Sequence, residues 1–127
     1  MKVRAMIVDD SSVMRKIVER SLRQAGIEIS QVVEAGNGSE ALGLLQTQSV
    51  DLILCDINMP VMDGLEFVRR AAKLENGPRA PIVMITTEGS ESNVVHALQA
   101  GAKGYIRKPF TADQVKEQVT PLLERTI

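Results

Sequence analysis

Aromatic side chains are nearly missing from this chain, which has no tryptophan, one tyrosine and two phenylalanines. Recognition of single-stranded nucleic acid by base stacking needs aromatic faces, so that class is set aside. Cysteine is equally scarce. A lone residue, Cys55, rules out an internal disulfide and suits a reducing compartment, with the cytoplasm the expected location. Its place in an apolar run beside Asp56 would raise the thiol pKa, so Cys55 is expected in the core and not as a nucleophile. Charge of either sign is not in excess. A formal net charge of −1 offers no basic surface for nucleic acid or an anionic membrane. No apolar run approaches a membrane span, and the first residues enter a strand pattern with no signal peptide ahead of it. Repeats, low-complexity segments and domain boundaries are also lacking, so the 127 residues are expected to form one domain, 1–127.

What is present is an alternation of apolar runs and helical stripes. Val3 to Val8 reads as a strand ending on Asp9-Asp10, and Ser11-Ser12 offers a helix N-cap. Val13, Met14, Ile17, Val18 and Leu22 then form a helical stripe stopped by Gly26. Val32-Val33 is a short second strand, Asn37-Gly38 turns the chain, and Ser39 starts a helix with Ala41, Leu42, Leu44 and Leu45. Val50 to Cys55 is a third strand, followed by Pro60 and Asp63-Gly64 in a loop and a helix from about Leu65 to Leu74. Asn76-Gly77-Pro78 breaks it. Pro81 to Thr86 is the fourth strand, and Glu91 to Ala100 a helix with a thin apolar stripe of Val94, Val95 and Leu98, stopped by Gly101. Gly104 to Arg107 is the fifth strand. Thr111 and Gln114 form a capping box for a last helix with Val115, Val119 and Leu122 inward, which Pro121 is expected to kink or end. Five β-α units with long connections imply an α/β fold, a parallel sheet covered by helices on both faces.

In such a sheet, chemistry collects at the carboxyl ends of the strands. Strand one brings Asp9 and Asp10 there, strand three Asp56, strand four Thr86 and Thr87, and strand five Lys108. Each alone has a plain reading: a negative cluster at a helix start, β-prone strand ends, an exposed turn. Together, three carboxylates on one rim repel one another unless a cation neutralises them. Mg2+ suits such oxygens and keeps waters for a phosphoryl group. With Lys108 as a mobile charge and Thr86 as a hydroxyl donor, the set makes a phosphoryl site, and the central carboxylate, Asp56, is its natural nucleophile.

Asp9-Asp10, the run Asp56-Ile57-Asn58-Met59-Pro60-Val61-Met62-Asp63-Gly64, Thr86, Tyr105 and Lys108-Pro109 occur in the order and spacing of response-regulator receiver domains. The chain resembles that family along its whole length, and within it the single-domain chemotaxis regulators. The resemblance implies a doubly wound, flavodoxin-like (βα)5 three-layer sandwich with strand order 2-1-3-4-5. It implies Asp56 as phosphoacceptor, Asp10 and Asp56 as direct Mg2+ ligands, Asp9 as a ligand through water, and the Asn58 carbonyl as a further ligand. Lys108 would pair with the phosphoryl oxygens, Thr86 would hydrogen-bond them, and Thr86 and Tyr105 would form the switch. Asn58 and Glu88, two residues beyond Asp56 and Thr86, would modulate phosphoryl lifetime. The bond before Pro109 would be cis. Arg107, beside Tyr105, departs from the apolar residue of the best-known chemotaxis members and leaves the output partner open.

The expected function is therefore a monomeric, stand-alone phosphorylation switch and not an enzyme beyond its own phosphorylation and autodephosphorylation. A CheA-like histidine kinase is the expected phosphodonor, and a flagellar motor switch protein or a phosphatase the expected partner. A phosphorelay intermediate or other non-chemotaxis regulator is the alternative. A flavodoxin-like FMN carrier shares the architecture, but Asp9-Asp10 would repel its phosphate. A phosphatase of the haloacid dehalogenase type would carry its nucleophile after the first strand and add a cap domain. His96, the lone histidine, is expected to be solvated or half-buried, and Met59 and Met62 to fill gaps under the loop.

Overall fold

The computed structural model describes residues 2–74, 80–87 and 91–124. Ten elements alternate: β1 (Val3–Val8), α1 (Ser12–Gln24), β2 (Ile29–Ala35), α2 (Gly38–Thr47), β3 (Leu52–Asp56), α3 (Gly64–Ala72), β4 (Ile82–Thr86), α4 (Glu91–Ala100), β5 (Gly104–Arg107) and α5 (Ala112–Glu124). The strands form one sheet in the order β2-β1-β3-β4-β5, and every pairing is parallel.

Strand periodicity divides the core in two. Successive side chains point to opposite faces, so Met6, Val8, Ile53, Cys55 and Met84 join α2, α3 and α4 through Ala41, Phe67, Val68 and Ala97. Ala5, Ile7, Leu52, Leu54, Val83 and Ile85 instead meet α1 and α5 through Val18, Leu22, Val115 and Val119. The central strands are buried on both faces, which is why β3 and β4 are unbroken apolar runs. Edge strand β5 alternates, with Gly104 and Ile106 in and Tyr105 and Arg107 out.

Several expectations are corrected. β2 is not a two-residue strand but runs from Ile29 to Ala35, because its pairing with β1 carries polar Ser30, Gln31 and Glu34 along the edge. β3 starts at Leu52 and includes Asp56, and α3 covers 64–72. Asn37 is less a turn former than the N-cap of α2, its Oδ1 accepting from the Glu40 N–H at 2.9 Å. On α1, Val13 (68% exposed) and Ile17 lie outside the core. At about 100° per residue they sit roughly a quarter-turn or more from the buried arc of Val18, Leu22 and Ala25. On α4 the apolar stripe also splits: Val94 and Ala97 are buried, while Val95 and Leu98 are exposed. His96 is exposed. Pro121 does not end α5, which continues to Glu124; the carbonyl it leaves without a donor belongs to exposed Glu117 and can face water. The expected break at Asn76-Gly77-Pro78 lies outside the described residues.

Other local expectations hold. Gly26 and Gly101 follow α1 and α4 with positive φ, 87° and 130°. The capping box is reciprocal: the Thr111 N–H donates to Gln114 Oε1 at 2.9 Å and the Gln114 N–H to Thr111 Oγ1 at 3.2 Å. The Lys108-Pro109 bond is cis.

Candidate functional site

Because all five strands run the same way, their carboxyl ends share one rim. Asp9, Asp10 and Asp56 meet there, each offering a carboxylate oxygen within 4.8 Å of the others. The two neighbours in sequence are not equivalent: Asp9 is 3% exposed, and Asp10 faces solvent. Asp56 is 8% exposed at the end of β3. Lys108 closes the group, with Nζ 3.1 Å from Asp9 Oδ2 and 3.6 Å from Asp56 Oδ2. Its backbone N–H donates to the Thr86 carbonyl at 2.7 Å, which ties the turn after β5 to the end of β4. Thr86 is buried at that end. Tyr105, in register with Met84, stands on the outward side of β5, 41% exposed. Glu88 lies outside the described residues.

Asp9 is held from every side. Its N–H donates to the Ala35 carbonyl at 3.0 Å, and its Oδ1 accepts from the Ser11 N–H at 2.9 Å. Its own carbonyl accepts from Arg15 Nη1 at 2.6 Å. Arg15 Nε in turn donates to Glu34 Oε1 on β2 at 3.0 Å, and Lys16 Nζ lies 3.4 Å from Glu34 Oε2. The Arg15 hydrogen bond lowers the Glu34 pKa against an opposing effect of burial. Arg15 and Glu34 were not legible as site residues. Glu34 is one polar residue among several on an edge strand, and Arg15 one charge on an amphipathic helix.

Asp56 is held from below. The backbone N–H groups of Ile57 and Asn58 lower its pKa, favouring the charged carboxylate. Asn58 itself is exposed on the loop. That loop folds tightly: the Met62 N–H reaches back to the Pro60 carbonyl at 2.7 Å, around exposed Val61 at φ 68°. This is a φ-positive γ-turn, which costs a β-branched residue strain. Met62 is then fixed against the start of α2, where the Gly38 N–H donates to its carbonyl at 3.0 Å and no room remains for a Cβ. Asp63 caps α3 by accepting from the Glu66 N–H at 2.9 Å. A Cβ on Gly64 would fall on the Asp56 carbonyl oxygen, so the glycine is dictated by helix α3 starting against Asp56 itself.

Burial raises the Asp56 pKa, Lys108 opposes that most strongly, and the charge of Asp9 adds to the rise. The rim thus carries more negative charge than one lysine can offset, which suits a hard cation with oxygen ligands. Cys55, directly behind, is fully buried and donates its S–H to the Asp56 carbonyl at 3.2 Å. Burial and then the Asp56 charge push its thiol well up, as a core residue should show.

A response regulator receiver domain model matches residues 5–120, and the chain belongs to that family. It is 37% identical over 123 residues to the chemotaxis protein CheY of Pseudomonas aeruginosa, covering 97% of this chain and 98% of the relative. The chemotaxis response regulator CheY4 of Vibrio cholerae superposes with a TM-score of 0.82 at 34% identity, covering 96% of this chain and 99% of that one. The receiver domain of a Pseudomonas aeruginosa sensor histidine kinase superposes with a TM-score of 0.83 at 28% identity, over 98% and 99% of the two chains. That protein has a magnesium ion coordinated in its active-site cleft. The chain is thus a two-component receiver domain of the CheY-like kind.

Proposed function

We propose that the chain is a stand-alone receiver, formed by residues 1–127, that takes a phosphoryl group on Asp56 from a histidine kinase and signals by changing its binding surface. The observation that carries this is the cluster of Asp9, Asp10 and Asp56 within 4.8 Å, closed by Lys108. The donor set fits Mg2+: three hard carboxylate oxygens lie within 4.8 Å of one another, with the exposed Asp10 side open to water. Asp9, Asp10, Asp56 and the Asn58 carbonyl would hold the ion, which when bound neutralises charge on the phosphoryl oxygens.

An Asp56 oxygen forms the new P–O bond as the P–N bond of a phosphohistidine breaks, and the departing imidazole retains its electron pair and takes a proton. The Ile57 and Asn58 N–H groups favour the ionised carboxylate. Lys108 swings from Asp9 and Asp56 toward the phosphoryl oxygens, and Thr86 donates its hydroxyl to them. Thr86 then leaves room for Tyr105 to turn inward. Phosphorylation shifts an equilibrium between two surfaces, since full switching would need about 5.5 kcal/mol of differential free energy. The responding face is α4, β5 and α5, where Val95, Leu98 and Tyr105 are exposed. Arg107 and Lys103 join them.

The likeness to CheY proteins supports a chemotaxis pathway, with a CheA-like kinase as donor and a flagellar motor switch protein or a phosphatase as partner, in the cytoplasm. Asn58 and Glu88 are proposed to set the phosphoryl lifetime. The test is phosphorylation by acetyl phosphate: it should need Mg2+ and be abolished in Asp56→Asn with the fold intact. Labelling that survives in that variant would overturn the reading.

A further inference from the structure

We propose that Arg15, supported by Glu34, is a positioning residue for the metal-binding carboxylates, acting through the peptide unit that joins Asp9 to Asp10. This rests on the Mg2+ reading above. A peptide unit is rigid and planar, so holding the Asp9 carbonyl oxygen also sets the Asp10 nitrogen and the direction in which Asp10 leaves the chain. Arg15 Nη1 holds that oxygen at 2.6 Å. The two carboxylates depend on this hold unequally. Asp9 has two further side-chain anchors, the Ser11 N–H and Lys108 Nζ. Among the described residues the exposed Asp10 carboxylate has no hydrogen bond or ion pair, so its place is set by the backbone alone.

Only an arginine suits the post. Its planar fork reaches the Asp9 carbonyl with one nitrogen and Glu34 with another, at 3.0 Å, and the side chain is 18% exposed. Glu34 is anchored on β2, whose register beside β1 puts it opposite Ile7. An ammonium group would have to choose between the two oxygens. Arg15 therefore works by geometry and against electrostatics, because a cation near the site repels Mg2+. That gives the proposal a sign. Loss of a merely electrostatic Arg15 would tighten Mg2+ binding, and loss of a merely structural one would leave it unchanged in the folded chain.

The experiment is equilibrium binding of Mg2+ alone to the full chain, by calorimetry below the unfolding range, for wild type, Asp10→Asn, Arg15→Met and Arg15→Lys. Arg15→Met should weaken binding about tenfold or more, the range for residues that orient metal ligands. Arg15→Lys should fail to restore it, although it keeps the charge. Binding by Arg15→Met within twofold of wild type, or tighter, would overturn the proposal. If Arg15→Met does not fold, Arg15→Lys decides by the same limits. Failure of the Mg2+ reading itself looks different: wild type would not bind the ion, or Asp10→Asn would bind it as well as wild type.

Discussion

The rim around Asp9 and Asp56 and the edge made by α4 and β5 lie on one sheet and are held very differently. At the rim, Asp9 has four hydrogen-bonded anchors, and the loop after Asp56 is locked by Gly38, Asp63 and Gly64. Helix α3 beneath it buries Phe67, Val68 and Ala71. At the edge, α4 buries Val94 and Ala97 and leaves Val95 and Leu98 in solvent, and Tyr105 turns out from β5. Chemistry needs reacting groups held in place. A switch needs an element whose two positions differ little in free energy. On the proposed function, one short chain would meet both needs by dividing its apolar burial unevenly.

The contrast breaks most visibly at Phe67. Phe67→Ala should cost about 3–5 kcal/mol in urea unfolding, since the ring is wholly buried. Lys108→Met should cost about 3 kcal/mol in EDTA, because it leaves Asp9 and Asp56 without their shared cation. Added Mg2+ should recover part of that loss, and some phosphorylation should remain while phosphorylation-dependent partner binding is lost.

Asp56 supplies a pH test in metal-free buffer. Burial raises its folded pKa above the ordinary carboxylate value. Below that ordinary value both states are protonated and the group contributes nothing. As pH rises through the window up to the folded pKa, the unfolded chain ionises first and the fold loses stability. Asp56→Asn should lack this loss and be the more stable chain at neutral pH, measured by urea titrations at pH 4 and pH 7. Equal stability at both would mean Asp56 is not held at a cost.

Smaller effects sharpen the comparison. Val61→Gly should gain about 0.5–1 kcal/mol by removing the φ-positive strain, read from the urea midpoint. Leu98→Ala on the exposed edge should move stability by no more than about 0.5 kcal/mol. The same change should alter partner affinity, as should Tyr105→Ala. A large stability loss in Leu98→Ala would mean that α4 is held as firmly as α3.

Local pattern made much of this legible. Apolar runs of strand length, Gly26 and Gly101 as stops, and the Thr111 and Gln114 box all depend on neighbours in sequence. The arrival of Asp9, Asp10, Asp56, Thr86 and Lys108 at one rim follows from the alternation of strands and helices, because a parallel sheet brings all its carboxyl ends to the same side. By itself the sequence determined the alternation of elements and the chemistry at their ends. Tertiary structure alone decided which faces were covered. Val13, Ile17, Val95 and Leu98 carry the right period, but period gives an angle and not the neighbour that waits at that angle. Only packing made Asp9 buried and Asp10 exposed, and only the pairing of β1 with β2 brought Glu34 to Arg15. Such contacts join residues far apart in the chain, and no local spacing encodes them.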